Sequence, residues 1–206
     1  MKTVAWIAVF LAGLVWSGIN PRDAYVWFLE VFPAIAAALV LAATRRRFPL
    51  TPLVCVLILL HSLVLMVGGH YTYAEVPLFD WLREVFGWQR NNYDKVGHFA
   101  QGFVPALAAR EILLRKGVVN GRGWLHFFVL SISLAISALY ELVEWWLAVL
   151  SGSAADAFLA TQGYVWDTQS DMLFALLGAN AALLLLTRVH DRQLAALGQC
   201  TDLRSR

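Results

Sequence analysis

Residues 124–150, WLHFFVLSISLAISALYELVEWWLAVL, make an unbroken apolar run whose only charged members, Glu141 and Glu144, stand near its end. A helix needs roughly 20 apolar residues to cross the hydrocarbon core of a bilayer, and this stretch is longer than that. Working outward from it, five further apolar runs appear at about 4–19, 26–43, 50–67, 96–114 and 169–187. Breakers separate them: Asn20-Pro21, Arg45-Arg46-Arg47, Gly68-Gly69, Asn120-Gly121 and Ser151-Gly152. Six runs so divided predict an all-α polytopic membrane protein, a bundle of six transmembrane helices. Composition agrees, because the 206 residues are 60% hydrophobic and 15% charged, against about 25% charged in soluble domains. The connections are too short for a soluble domain of ~50 residues, so residues 1–206 read as a single integral membrane domain.

The charges choose an orientation. With the amino terminus inside, cytoplasmic segments hold Lys2, Arg45, Arg46, Arg47, Arg110, Arg115, Lys116, Arg122, Arg188, Arg192, Arg204 and Arg206, leaving only Arg22, Arg83, Arg90 and Lys95 of the 16 basic residues for the outer side. The positive-inside rule therefore predicts both termini in the cytoplasm. The net charge of +2 conceals this separation and gives no reason to invoke nucleic acid. The first run follows Lys2 like a signal peptide, but Trp16-Ser17-Gly18-Ile19-Asn20 lacks a small-x-small cleavage pattern, and a retained first helix is expected. Cys55 and Cys200 fall in different environments and read as free thiols. In the outer loop of residues 69–93, Pro77, Leu78, Phe79, Trp81, Leu82, Val85 and Phe86 predict a short amphipathic helix between spans three and four, with Asp80, Arg83 and Glu84 on its polar side. Its expected place is the outer interface, with Trp81 and Trp88 at headgroup level.

The acids reverse the pattern of the bases. Apart from Glu111, Asp191 and Asp202, all of them fall in outer loops or the outer parts of helices. Several share a helix face. Asp94 and His98 are i, i+4 at the start of span four, with Gln101 one turn on; Glu141 and Glu144 are i, i+3 near the end of span five, flanked by Tyr140 and Ser137; Asp167 and Asp171 are i, i+4 at the start of span six. A rise of ~1.5 Å per residue puts these groups at overlapping depths. A carboxylate in hydrocarbon is costly unless paired, hydrated or protonated, and so marks a candidate site. Several carboxylates at one level repel one another, and a divalent cation would compensate them. Asp94, His98, Glu141, Glu144, Asp167 and Asp171 are the candidate metal ligands. Mixed imidazole and carboxylate ligands suit zinc, manganese or iron, and an all-oxygen subset suits magnesium or calcium.

Plainer readings stand beside that one. Asp94 and Asp167 could answer the positive end of a helix dipole, Glu144 could snorkel beside Trp145 and Trp146, and His98 alone could be a hydrogen-bonded core residue. Tyr71 and Tyr73 suit an aromatic belt. His61 or His70 could complete the site; Thr168 and Gln169 could hydrogen-bond the ligands. His70, Tyr73, Glu75, Gln101, Tyr140 and Gln169 form the candidate substrate-binding set. Glu111 beside Arg110 reads as an exposed ion pair at the inner end, and His126 and His190 lie on that side.

Four stretches together resemble one family: Gly69-His70-Tyr71-Thr72-Tyr73-Ala74-Glu75-Val76-Pro77, Tyr93-Asp94-Lys95-Val96-Gly97-His98-Phe99, Tyr140-Glu141-Leu142-Val143-Glu144-Trp145-Trp146 and Trp166-Asp167-Thr168-Gln169-Ser170-Asp171-Met172. They are similar to the YjdF family of bacterial inner-membrane proteins, a resemblance that runs over nearly the whole chain and implies the bacterial inner membrane without implying an activity. Tyr164 stands where many of those relatives are expected to carry an acid. The Asp94, Lys95, His98 spacing also faintly resembles VanZ-type membrane proteins.

Site chemistry supplies the functional expectation. A metal-dependent hydrolase or transferase acting on a lipid or lipid-linked substrate at the outer half of the membrane would use Glu141 or Glu144 as general base. No serine or cysteine nucleophile motif is visible, so water is the expected attacking species. A non-catalytic binder of divalent cations or lipid is the alternative. A cation- or proton-coupled transporter comes third, because few ionisable residues are expected in the inner halves of the helices.

Overall fold

The computed structural model describes residues 3–151 and 162–198. Among these residues it has seven α-helices: α1 (Thr3–Gly18), α2 (Ala24–Thr44), α3 (Pro52–Tyr71), α4 (Pro77–Phe86), α5 (Tyr93–Lys116), α6 (Arg122–Ser151) and α7 (Asp167–Ala196), with a 3₁₀ turn at Tyr73–Glu75. Lys2, Gly152, Cys200, Arg204 and Arg206 lie outside the described residues. Local chemistry sets the starts. Asp23 caps α2 by accepting from the backbone N–H groups of Tyr25 at 2.8 Å and Val26 at 2.9 Å. Pro52 and Pro77 open α3 and α4 at positions whose N–H would have no helical partner.

Four helices, α2, α3, α6 and α7, are long and apolar enough to cross a membrane. The other two expected spans differ for separate reasons. α1 is apolar but has 16 residues, about 24 Å of helix against a core of about 30 Å. α5 has 24 residues, long enough to cross, but Asp94, Lys95, His98, Arg110 and Glu111 lower its apolarity. All five of those side chains are buried. α5 packs against α3, α6 and α7, and these polar groups lie on the side that faces them. The opposite holds outside, where Leu39, Leu60, Trp145, Val149, Leu184 and Leu185 are exposed, a large apolar surface of the kind that belongs in lipid.

The bundle has two cores that share α3. Phe10, Val31, Ala34, Leu59 and Met66 join α1, α2 and α3. Val54, Ala106, Leu107, Leu113, Leu125, Val129, Ala179, Ala182 and Leu183 join α3, α5, α6 and α7. Side-chain bonds reinforce the smaller core: Trp6 Nε1 donates to Cys55 O at 2.8 Å and Trp27 Nε1 to Ser17 Oγ at 3.1 Å. Cys55 is a free thiol, as expected.

The α5–α7 pairing is the closest in the bundle. A Cβ built on Gly102 would lie 1.7 Å from Ala175 O, and one on Gly178 would lie 2.0 Å from Phe99 O. These small residues let the backbones touch, the packing expected of helices in lipid. Tyr73 is wedged in a similar way, 2.2 Å from where a Gly68 Cβ would be and 2.7 Å from that of Gly97.

At the end of the bundle where α3 begins, the expected exposed Arg110–Glu111 pair is corrected: both are buried. Glu111 accepts from Thr51 N at 3.0 Å, Thr51 Oγ1 at 2.8 Å and Arg115 Nη1 at 2.7 Å, and His190 Nε2 lies 3.1 Å away. Arg110 bonds His190 Nδ1 at 3.0 Å and Asp191 Oδ1 at 2.6 Å. Consecutive residues of a helix point about 100° apart, so Arg110 and Glu111 do not pair with each other; His190 of α7 stands between them, with Nδ1 on Arg110 and Nε2 on Glu111. This network holds α7 in helix beyond residue 187, where the apolar run ends.

Gly102→Ala places a methyl group against backbone that cannot yield, so it should cost about 1–3 kcal/mol and lower the melting temperature in detergent. Gly123→Ala is the control: its Cβ would meet nothing within 4 Å, and it should be neutral or gain up to about 1 kcal/mol of helix propensity.

Candidate functional site

The polar faces of α5, α6 and α7 meet at the end of the bundle where α5 and α7 begin. Asp94, Lys95, His98, Glu141, Asp167 and Asp171 are all buried there. The first turns of α5 and α7 form an ion cluster. Lys95 Nζ donates to Asp167 Oδ1 at 2.8 Å and Asp171 Oδ1 at 2.7 Å, and stands 3.3 Å from Asp94 Oδ2. Arg90 bridges Asp167 Oδ1, at 2.5 Å, and Asp94. Asn91 and Gln162 hold that corner through paired bonds, Asn91 N to Gln162 Oε1 at 2.9 Å and Gln162 Nε2 to Asn91 O at 2.8 Å.

One turn deeper the chemistry changes. His98 Nε2 lies 3.7 Å from Asp171 Oδ1 and His98 Nδ1 lies 3.8 Å from Glu141 Oε1. One ligand atom from each of His98, Glu141 and Asp171 falls within 4.8 Å of the others. The same holds for Asp94, Asp167 and Asp171, but Lys95 and Arg90 already occupy that second set. Gln101 Oε1 is 3.1 Å from His98 Nδ1. In the tautomer where Nδ1–H donates to Gln101, Nε2 turns its lone pair to the Asp171 side, the arrangement typical of a ligating histidine and its orienting partner. Glu141 is 8% exposed, and its Oε1 has no hydrogen-bond partner. Thr168 reaches the same carboxylate.

Below these groups a cavity of about 330 Å³ opens between the two cores, within the range of small-molecule sites, about 300–1,000 Å³. Its polar end is lined by Glu30, His61, Tyr73, Asp94, His98, Gln101, Tyr140, Glu144 and Asp171. Glu30 comes from α2 and meets the Tyr140 hydroxyl at 3.3 Å. His61 Nε2 is buried and has no hydrogen-bond partner.

The residues named from the sequence therefore divide. Asp94, His98, Glu141, Asp167 and Asp171 come together, Glu144 faces the cavity, and Tyr73, Gln101 and Tyr140 line it. His70 goes elsewhere: its Nδ1 lies 3.1 Å from Ser17 O and its ring packs on Trp16 at 4.7 Å, fastening α3 to α1. Glu75 pairs with Arg22 at 2.8 Å in an exposed bridge, and Gln169 is exposed. Both point out because the 3₁₀ turn and the first turn of α7 leave those positions on the rim. Lys95, Arg90 and Glu30 were not foreseen. The first two counted only as topology charges, and Glu30 stood alone in an apolar run. An unpaired acid inside a span was itself the signal that could have found it.

Removing the ammonium between three carboxylates should be severe. Lys95→Met should cost about 3–5 kcal/mol, the usual penalty for breaking a buried ion pair, read as a fall in melting temperature. Arg83→Met, at the more exposed Asp80 pair, should cost less than about 1 kcal/mol.

A family model described as "Predicted membrane protein (DUF2238)" matches residues 2–192. The inner membrane protein YjdF of Escherichia coli (strain K12) is 54% identical over 188 residues, covering 91% of this chain and 90% of that relative. No solved structure matches the chain. Because that match and that identity extend over nearly the whole length, the chain belongs to the DUF2238 family of predicted membrane proteins.

Proposed function

We propose that this protein is a metal-dependent hydrolase or transferase of the bacterial inner membrane, acting on a lipid or lipid-linked substrate in the outer half of the bilayer. It crosses six times with both termini cytoplasmic, and α4 lies at the outer interface. The observation that carries the proposal is the His98, Glu141 and Asp171 constellation at the mouth of the cavity, with Glu141 Oε1 buried and unpartnered. One ligand atom from each of the three lies within 4.8 Å of the others, and His98 Nε2 stands 3.7 Å from Asp171 Oδ1, a spacing compatible with two atoms each about 2.0–2.2 Å from one ion. An imidazole among carboxylates favours zinc, manganese or iron over magnesium.

A cation there would lower the pKa of a bound water and polarise a phosphoryl or acyl oxygen. The chain's own residues have separate tasks. Lys95 holds Asp171 in place and Gln101 orients His98. Glu144, lining the cavity one turn from Glu141, takes the proton as the water oxygen bonds to the reacting centre, and returns it to the departing oxygen. Helix α4 has Leu78, Trp81, Val85 and Phe86 exposed, which suits a membrane interface, and the division of basic residues along the sequence supports the orientation.

A second reading is a non-catalytic cation or lipid binder; its lipid-binding form is favoured by one observation, that Arg90 and Lys95 already neutralise much of the acidic cluster and lessen its need for a metal ion. Metal analysis and turnover separate the two. His98→Ala and Asp171→Ala should lose bound zinc, manganese or iron and melt lower, because a bound ligand stabilises the native state. Glu144→Gln should keep metal and fold while losing about 10²–10⁴-fold in hydrolysis across a panel of phospholipids and polyprenyl phosphates. A wild type that binds metal and turns over nothing on that panel establishes the binder. A wild type with no bound metal, whose Glu→Gln variants melt no lower, overturns the metal centre. For the topology, reporter fusions at Arg47, Val118 and the carboxyl terminus should all report cytoplasm, and an external carboxyl terminus would overturn the six-span orientation.

A further inference from the structure

Glu30 has no task in that chemistry. It is the sole charged residue of α2, it is buried, and it faces the cavity from the wall opposite α7. A carboxylate in a span otherwise built for lipid is costly to keep there without a role. Tyr140 offers it one hydrogen bond at 3.3 Å and Tyr73 a second, and a carboxylate, with about four acceptor positions, has capacity beyond these two. The polar lining gathers four acids; Asp94 and Asp171 are paired with Lys95 and Arg90, while no ion pair is found for Glu30 or Glu144 among the described residues, and no lysine or arginine lines the cavity beside them. Such a wall complements a cationic group.

The rest of the cavity is apolar. Pro33, Ala34 and Ala37 of α2, Ile58 of α3, Val104, Pro105 and Ala108 of α5 and Ile136 of α6 line it. Alanines leave the space, and Pro33 and Pro105 interrupt the helical bonding on two of its walls. Ala37 lies about 10 Å further along α2 than Glu30, so polar and apolar ends are stacked along the membrane normal. α2 leans on α3, while α5 and α6 pack with α7. The cavity thus lies between α2 and α6, which meet through Glu30 and Tyr140 at its polar end and whose flanking residues Phe32 and Leu139 are exposed to the surroundings. Its volume of about 330 Å³ falls at the lower end of small-molecule sites, about 300–1,000 Å³.

We propose that the cavity binds an aminophospholipid entering sideways between α2 and α6, with one hydrocarbon chain on the floor of Ala37, Ile58, Ala108 and Ile136 and its ammonium group at Glu30. This rests on the reading of the protein as one that acts on lipid, and it names the lipid class. Glu30 selects the amine; the metal centre opposite handles the reacting oxygen.

The test uses the full chain in nanodiscs of phosphatidylethanolamine and phosphatidylglycerol, with a phosphatidylethanolamine probe carrying a diazirine near the end of one chain. Photolabelled positions are read by mass spectrometry, and metal content is measured on the same samples. Labels should fall on Ile58, Val104, Ala108 and Ile136. Unlabelled phosphatidylethanolamine should compete at least tenfold better than phosphatidylglycerol. Glu30→Gln, which keeps the side chain's size and its bond to Tyr140, should abolish that preference with the labelled positions unchanged. Ala37→Phe, filling the floor from another direction, should remove the labels at a melting temperature close to wild type. Labels confined to outward positions such as Leu39, Leu60 and Leu184, or equal competition by both lipids, overturn the proposal. Metal content reports separately: labels in the cavity of a protein without metal uphold the lipid site while the metal centre falls.

Discussion

Carboxylates brought into a low-dielectric interior must meet a cation, a proton donor or water, because the cost of leaving them charged and alone is several kcal/mol each. In this bundle Lys95 discharges much of that cost. Its single ammonium touches carboxylates from the first turns of two helices, and Arg90 spans the same two helices from the preceding loop. The register of α5 on α7 follows from that contact. So does the small-residue packing of Gly102 and Gly178, since backbones in contact bring Asp167 and Asp171 close enough for one lysine to reach both. The ionic cluster and the glycine contacts are two parts of one clamp.

The clamp explains why α5 is so polar. Lipid-facing helices carry their apolar side chains outward and have little inside, whereas α5 packs against three helices, α3, α6 and α7. A charged residue on the buried side of α5 can therefore find a partner on any of them. Glu141 and Glu144 lack that advantage. They sit on α6, whose other face exposes Leu142, Trp145 and Trp146, and this confines their carboxylates to the inward stripe where the cavity begins.

Much of the helical layout was legible from apolar runs and breakers, and the predicted amphipathic segment forms a helix over Pro77–Phe86. Length and hydropathy report burial in lipid, and they lose force where a helix is buried in protein. This is why α5 looked like an ordinary span with a charged entrance. The i, i+4 and i, i+3 spacings correctly put Asp94 with His98 and Glu141 with Glu144 on shared faces, because those relations are local. Partner choice across helices is not local. Lys95 points about 100° away from Asp94 on the helix wheel, and only the approach of α7 shows that its long stem reaches the acids. The exposed Arg110–Glu111 pair differs for the same reason: adjacent in sequence, the two meet through His190 of α7 and not directly. Glu30 was visible as an acid in an apolar run, but its place opposite α6 depends on the fold of two separate cores around α3.

The two buried polar clusters of the bundle differ in a way that bears on function. At the end where α3 begins, Glu111 receives Thr51, Arg115 and His190, and Arg110 is taken up by His190 and Asp191. That network is closed, and it serves to fix α3, α5 and α7 against one another. At the other end, Glu141 Oε1, Ser137 Oγ and His61 Nε2 are buried without hydrogen-bond partners, each at a cost of about 1–3 kcal/mol. Stability alone would favour closing this network as well, and the sequence that closes one has the residue types to close the other. Of the three unmatched groups, His61 lines the cavity, and Glu141 stands beside His98, which also lines it; unmatched polar atoms so placed are what a site for an external ligand requires. The structural role belongs to the closed cluster and to the Lys95 clamp, and the atoms that the clamp leaves unmatched are the ones open to a ligand from outside.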